Sequence, residues 1–567
     1  MFDAPLLQDH IWSNLIAFNL TTLTTRLWAP WLLITAAVLA LCVWLLRRQL
    51  RTSPAYFNLF DDAVYKFRLR KKRDWAALLL LAGALGLTAW YMFTTDNSFF
   101  ENFDLMSIGT IRSLRIGLVP NFDYARITPL AFWYLSTVYA VTQNMIMIKG
   151  IVFIQLLLAV WAMYYFFSYI PSARRLVFLA VFILTPTMFL TSKVVFPDRD
   201  IIILIMLSLI CMRRFSKSSS LAWLGGFLFF MNAAIYTKET CILFYFGILA
   251  TSILYNIWNE KIRPVSFLHP LRLIKSMPVE FLTGMSLLMY AIIYFLLQTP
   301  NEKNIYLLTN THPWQELILF YKLEGLAVLA ALGLLAMRAV RHYNTTANPM
   351  FRGGLVIGGA CVGFAIIFIL QTAPNSPHLA GKTYYLLLTL LFSLAYIFEN
   401  TRSRLVLTLL SAALLIYSAV ENSEARQREI GVYYREVAEF MAKRLPKGED
   451  RTKAAGIFVI DDTQAEPDID KWLIEAWSSS YAYYLSEYNI VFKSDKHIPT
   501  NLHELLVLRN FSLKEIYFPI IPRENPESGD WVIINKKNRL PKTLKIMQQL
   551  PEKPEYENTL FEVYRAK

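Results

Sequence analysis

The apolar residues of this chain come in long blocks, separated by short connections that carry most of the charge. A helix needs roughly 20 mainly apolar residues to cross the hydrocarbon core of a bilayer. Blocks that meet or approach this length are Trp28–Leu46, Trp75–Phe93, Gly150–Ser168, Leu176–Leu190, Ile201–Met212, Leu221–Tyr236, Cys241–Trp258, Val279–Leu297, Gly325–Met337, Gly354–Gln371, Tyr385–Phe398 and Leu405–Val420. That pattern predicts about twelve spans, of which Ile201–Met212 is the shortest. With 55% hydrophobic and 17% charged residues among 567, the chain also lacks the charge needed to cover a soluble surface.

The formal charge of +14 raises the question of nucleic acid, and the placement of the cations answers it. They form no single patch. They sit in short clusters between the blocks: Arg47, Arg48 and Arg51; Arg68 through Arg73; Arg174 and Arg175; Arg213, Arg214 and Lys217; Arg263, Arg272 and Lys275; Arg338 and Arg341; Arg402 and Arg404. Every second connection is basic, which is the positive-inside pattern of a membrane protein and argues against a nucleic-acid partner. It puts the N-terminus outside, Arg47–Asp74 in the cytoplasm and Thr94–Lys149 in a long outer loop. Ser192–Asp200, Thr237–Thr240, Gln298–Glu324 and Thr372–Tyr384 become smaller outer loops. Met1–Thr25 has no basic n-region, so no cleavable signal is expected. Cys42, Cys211, Cys241 and Cys361 lie inside apolar blocks with no metal-ligand or disulfide spacing, and read as small core residues.

Composition changes after Val420. Gly456–Asp462 reads as a buried strand, with Ile490–Lys493, Ile516–Ile520 and Trp531–Asn535 as further short strands. Ile469–Tyr488 and Leu540–Leu550 have helical spacing, and Thr559–Tyr564 is placed to close the sheet. The expected architecture is therefore a polytopic α-helical membrane protein with a C-terminal α/β extracytoplasmic domain. Its parts are residues 1–74, an extra transmembrane helix and a basic cytoplasmic loop; 75–420, the transmembrane domain; and 421–567, the α/β domain.

Ionisable groups beside a membrane are costly and are commonly retained for a task. Four such clusters fall on the expected outer side. The first runs from Glu101 through Asp104 to Arg115, Asp123 and Arg126. From Asp104 on, Leu105, Ile108, Ile111, Leu114 and Ile116 follow helical spacing, which predicts an amphipathic interfacial helix with Asp104 near its favoured N-terminus. Leu130–Met147 reads as a second interfacial segment. A plain capping role for Asp104 is the competing reading. The second cluster is Asp198, Arg199 and Asp200, read as a tight turn between spans. The third is Lys238 and Glu239, and the fourth is His378, Lys382 and Tyr384 at the head of a span.

In their order along the chain these features resemble the GT-C fold of membrane glycosyltransferases, especially the protein O-mannosyltransferase and lipid A aminoarabinose transferase group. The resemblance rests on Asp104, on Gly117 and Pro120 of the following turn, and on Thr128-Pro129-Leu130 before an aromatic segment. It continues through Asp200 at the start of a span, Gly225-Gly226 in a span ending at Thr237-Lys238, and Lys382-Thr-Tyr384-Tyr385. Leu105 stands where the group often has a second acidic residue, and Trp28–Leu46 precedes the usual first span.

The resemblance implies a polyprenyl-phosphate-linked sugar as donor and transfer on the outer, periplasmic face of a bacterial inner membrane, with inversion. The acceptor is a lipid, glycan or protein hydroxyl. The residues suit that chemistry in their own right. A phosphate leaves as an anion and has to be held by cations, for which Lys238, Lys382, Arg199 and Arg126 are candidates. An acceptor hydroxyl needs a carboxylate to take its proton; Asp104 is the first choice and Asp123 its rival. Asp200 or Glu239 orients the acceptor, the cations or a metal. The carboxylates permit a divalent metal without demanding one. An outer-face glycan polymerase or ligase is the alternative enzyme, and a lipid or glycan transporter the alternative from another class.

Overall fold

The computed structural model of the chain describes residues 28–52, 65, 71–94, 145–190, 198–238, 241–258, 274, 277–297, 313–343, 358–361, 363, 379–427, 430–446, 455–460, 490–494, 520–536 and 541–567. Helices α1 (Trp28–Thr52), α2 (Lys72–Thr94), α3 (Met145–Phe166), α4 (Ser172–Leu184), α5 (Pro186–Leu190), α6 (Asp198–Ser218) and α7 (Leu221–Thr237) occupy the first apolar blocks. They are followed by α8 (Cys241–Trp258), α9 (Pro278–Leu297), α10 (Pro313–Tyr343), α11 (Leu379–Asn400) and α12 (Arg404–Gln427). Within them Leu32–Arg51, Lys72–Phe93, Lys149–Phe166 and Arg404–Asn422 are long and apolar enough to cross a membrane. These helices turn large apolar side chains outward: Leu33, Trp44, Leu79, Trp161, Leu409 and Ile416 are all well exposed. Water would penalise such a surface and lipid would not. The chain is a polytopic helical membrane protein.

Most of the helices are longer than the blocks that announce them. Ile201–Met212 belongs to a helix of 21 residues that runs on through Arg213, Arg214 and Lys217. Long basic side chains reach the interface from a helix end, so polarity there does not stop the backbone ladder. The block Leu176–Leu190, in contrast, is broken. Pro186 has no N–H to donate and forces the residue before it out of helical geometry. Thr185 accordingly turns extended (φ −56°, ψ 142°), and α5 restarts on the proline, a favoured first helical residue. Asp198–Asp200 form the first turn of α6, not a turn between helices. Part of the expected loop Gln298–Glu324 is helical, because α10 starts at Pro313 and is interrupted at Lys322 (φ 42°, ψ −118°).

Contacts between helix ends fall into two sets. At one end Arg175 donates to the carbonyls of Tyr164 (3.0 Å) and Tyr65 (3.1 Å), with its guanidinium 3.7 Å from the centre of the Tyr164 ring. Arg213 bonds Ser168 Oγ at 2.8 Å, and Arg174 bonds the Thr401 carbonyl at 3.0 Å. The three arginines all belong to basic connections. At the opposite end Asn422 donates to the Leu184 carbonyl (2.9 Å), Lys322 pairs with Glu421, and Glu324 receives Thr187. Each contact joins ends that the alternation of basic and non-basic connections assigns to the same side.

Glu324 is nearly sealed from solvent, and its two oxygens take the backbone N–H (3.0 Å) and hydroxyl (2.8 Å) of Thr187. It therefore satisfies the start of α5, which the proline break exposes. Replacing Glu324 with Ala leaves both donors buried and unpaired, at about 1–3 kcal/mol each. Thermal unfolding in detergent should show the loss, and Glu324→Gln, which keeps an acceptor, should recover part of it.

Inside the bundle α9 carries a buried polar face of Glu280, Thr283, Ser286 and Tyr290. Ser252 on α8 donates to Glu280 (2.9 Å) and Asn232 on α7 to Ser286 (3.2 Å), the kind of interhelical hydrogen bond that holds membrane helices together.

Beyond α12, helix α13 (Ile430–Ala442) and α14 (Pro541–Met547) flank a six-stranded sheet. Its strands are β1 (Ala455–Val459), β2 (Ile490–Ser494), β3 (Ile520–Pro522), β4 (Trp531–Asn535), β5 (Tyr556–Glu557) and β6 (Phe561–Arg565). The spatial order is β3-β2-β1-β4-β6-β5, the first four parallel and the last two antiparallel additions. Alternate residues feed opposite faces. Ile457, Trp531 and Ile533 meet Val437 and Met441 on the α13 side, while Phe458, Val532 and Ile534 meet Ile546 on the other. Burial on both faces is why these strands read as unbroken apolar runs. The expected helix Ile469–Tyr488 lies outside the described residues.

Across the interior strands of this sheet Lys493 Nζ on β2 reaches Asp530 (2.9 and 3.0 Å), just before β4, and also Glu527, passing Gly456 of β1. Burial alone would lower the Lys493 ammonium, but its hydrogen bonds to Glu527 and Asp530 outweigh that and hold it above the ordinary lysine value. A Cβ at Gly456 would fall on the Asp530 carboxylate and 3.1 Å from Lys493 Cε. Gly456→Ala is therefore expected to destabilise this sheet by about 1–3 kcal/mol, as overpacking does. Hydrogen exchange of β1 and β4 in the full chain would register it as faster opening.

Candidate functional site

The two helices that carry the second and third charged clusters form a hairpin. Only Ser219 and Ser220 join α6 to α7; Ser219 takes a left-handed φ of 50°, and Ser218 Oγ accepts the Ser220 N–H at 3.3 Å. From this turn, Asp200 lies 18 residues back and Lys238 lies 17 residues on from Leu221. At 1.5 Å per residue these are rises of about 27 Å and about 26 Å. The hairpin thus raises a carboxylate and a cation to the same height, at the end of the bundle opposite the basic connections.

The residues at that end are drawn in, not splayed into solvent. Arg199 is 1% exposed, Lys238 5% and Lys149 6%. Lysine and arginine are almost never this buried unless something holds them. Thr237 closes α7, and Lys238 takes an extended backbone with its N–H still on the Ala234 carbonyl (3.0 Å). A cation here sits at the negative end of the helix dipole, while Asp198 and Asp200 sit at the positive end of α6. Asp200 is fixed from a third helix: Gln155 Nε2 on α3 donates to its Oδ1 at 2.8 Å.

The structure accordingly brings Asp200 together with Gln155 and raises Arg199 and Lys238 to the same end. Asp198 lies in the first turn of α6, and Lys382 and Tyr384 lie in the first two turns of α11; their side chains are outside the described residues, as are Asp104, Asp123, Arg126, Glu239 and His378 altogether. Two residues escape a reading of the sequence. Lys149 reads as the last residue of a loop, although it lies inside α3. Gln155 is a lone amide in the run Ile151–Val160, and that isolation is the signal that could have found it. Lys322 and Glu324, at the end of the expected loop Gln298–Glu324, engage Glu421 and Thr187. Among the described residues no three His, Cys, Asp or Glu side chains gather in a way that could hold a metal ion.

No protein-family model matches the chain, and neither does any curated protein. Among solved structures it is similar to the crystal structure of ArnT from Cupriavidus metallidurans bound to undecaprenyl phosphate. The TM-score is 0.47 at 10% identity, over 87% of this chain and 98% of that one. It is also similar to the same organism's ArnT in the apo state, with TM-score 0.42 at 12% identity, over 95% of this chain and 98% of the other.

Proposed function

We propose that the protein is a glycosyltransferase that moves a sugar from a polyprenyl-phosphate-linked donor to an acceptor hydroxyl. The site lies at the end of the bundle opposite the basic clusters. In this reading the chain crosses a bacterial inner membrane about twelve times. The basic end is cytoplasmic; the site and residues 421–567 are periplasmic. The observation that carries the proposal is the burial of Lys149, Arg199 and Lys238 at the same end of apolar helices as Asp200. Cations held there suit a phosphate that must arrive attached to a lipid and leave as an anion.

The reaction needs few parts. The acceptor oxygen attacks the anomeric carbon from the face opposite the phosphate, and the bond to the phosphate oxygen breaks, inverting the sugar. The acceptor's proton passes to a carboxylate, which we assign to Asp104, with Asp123 as its rival. The departing oxygen takes the bonding pair and remains as polyprenyl phosphate, stabilised by Lys238, Arg199, Arg126 and Lys382. Asp200 and Glu239 orient the acceptor and these cations, and Asp198, His378 and Tyr384 line the approach. The apolar walls of the bundle receive the isoprenoid chain, which pure water would not dissolve.

Purified protein incubated with polyprenyl-phosphate sugars should release free polyprenyl phosphate, faster when an acceptor hydroxyl is supplied. Absence of release with every donor tried would reject the assignment. Running the same assay with a chelator decides whether a metal takes part.

A further inference from the structure

We infer that Gln155 is a positioning residue that sets the Asp200 carboxylate for sugar transfer, an inference that rests on the transferase reading. Gln155 is 8% exposed and is the one polar side chain between Ile151 and Val160. Burying an amide in such surroundings is unfavourable unless its groups are bonded. Its donor reaches across from α3 to Asp200 Oδ1, 45 residues away in sequence, at 2.8 Å. The bond is charge-assisted, because its acceptor is a carboxylate at the favoured end of α6.

The choice of an amide is informative. A lysine at this position would hold Asp200 equally well, but it would add a positive charge beside a site that already has Lys149, Arg199 and Lys238. Glutamine fixes one rotamer of the aspartate and leaves the electrostatic balance alone. The carboxylate is then oriented before substrate arrives, and no free energy is spent on turning it during the reaction. A simple helix-to-helix tether would need no particular carboxylate, and the two roles differ in what they predict.

The test is a double-mutant cycle read in the polyprenyl-phosphate release assay. Gln155→Met keeps the length and apolar packing of the side chain and removes the donor. It should lower kcat about 10–100-fold, the usual range for residues that orient a working group. Donor KM and thermal stability should stay near wild type. In an Asp200→Asn background the same change should cost almost nothing further, since Gln155 acts through the aspartate. Gln155→Asn, which keeps the amide but falls one methylene short, should match the Met variant and serves if that variant folds poorly. Wild-type kcat in Gln155→Met, or losses that multiply in the double variant, would overturn the inference while leaving the transferase reading intact. A wild-type protein that releases no polyprenyl phosphate would overturn both.

Discussion

Asparagine in place of Asp104 is expected to abolish sugar transfer while leaving the fold and donor binding in place. The amide has the shape of the carboxylate and cannot take a proton at neutral pH. General-base assistance is typically worth ~10²–10⁴ in rate, so the residual turnover should fall to the level that positioning alone provides. In the proposed reaction cations hold the donor's phosphate and apolar walls its tail, without Asp104, so the affinity for donor should persist. Single-turnover release of polyprenyl phosphate gives the rate, and donor protection against thermal unfolding gives the binding. Wild-type turnover in this variant would move the role to Asp123. Loss of binding together with loss of rate would make Asp104 part of the donor site instead.

Lys238→Met should lower turnover about 10²–10³-fold, the magnitude seen when a donor to a developing anion is removed. Methionine keeps the stem that fills the space beyond Thr237 and deletes only the charge. The side chain is 5% exposed and at the carbonyl end of α7, so solvent screens it little and the helix dipole favours a cation there. Lys238→Arg should recover part of the rate, because it restores the charge with a different donor geometry. The loss should appear in kcat as well as in donor affinity, since the negative charge on the bridging oxygen grows as the sugar departs. If Lys238→Met turns over like wild type, the phosphate is held elsewhere.

Apolar blocks say well where a helix lies and poorly where it ends. The course of α1, α7 and α8 can be read directly from Trp28–Leu46, Leu221–Tyr236 and Cys241–Trp258. The ends of α6, α10 and α12 cannot: α6 and α12 run on through Arg213 and Glu421 after the apolar signal has stopped, and α10 starts at Pro313, ahead of its block and across the interruption at Lys322. The break at Pro186 was present in the sequence as a proline, yet the apolar run on both sides of it masks the interruption. The same limit applies to the site. Charged residues at block ends single out Asp200 and Lys238, because charge near a membrane is rare. Gln155 acquires its meaning only from a partner 45 residues distant, which no local spacing can reveal. The alternation of basic and non-basic connections is legible for a different reason: it is a property of the whole chain, and the contacts of Arg174, Arg175 and Arg213 at one end and Glu324 and Asn422 at the other agree with it.

The two-serine link between α6 and α7 turns residue count into a ruler. With no slack in the loop, the level of Asp200 against Lys238 is set by how many residues each arm contains. Deleting one residue from the middle of α6 would swing Asp200 by about 100° and draw it down about 1.5 Å, swinging it off the line to Gln155. Whatever side chains line the two arms, the number of residues between the carboxylate and the ammonium cannot drift.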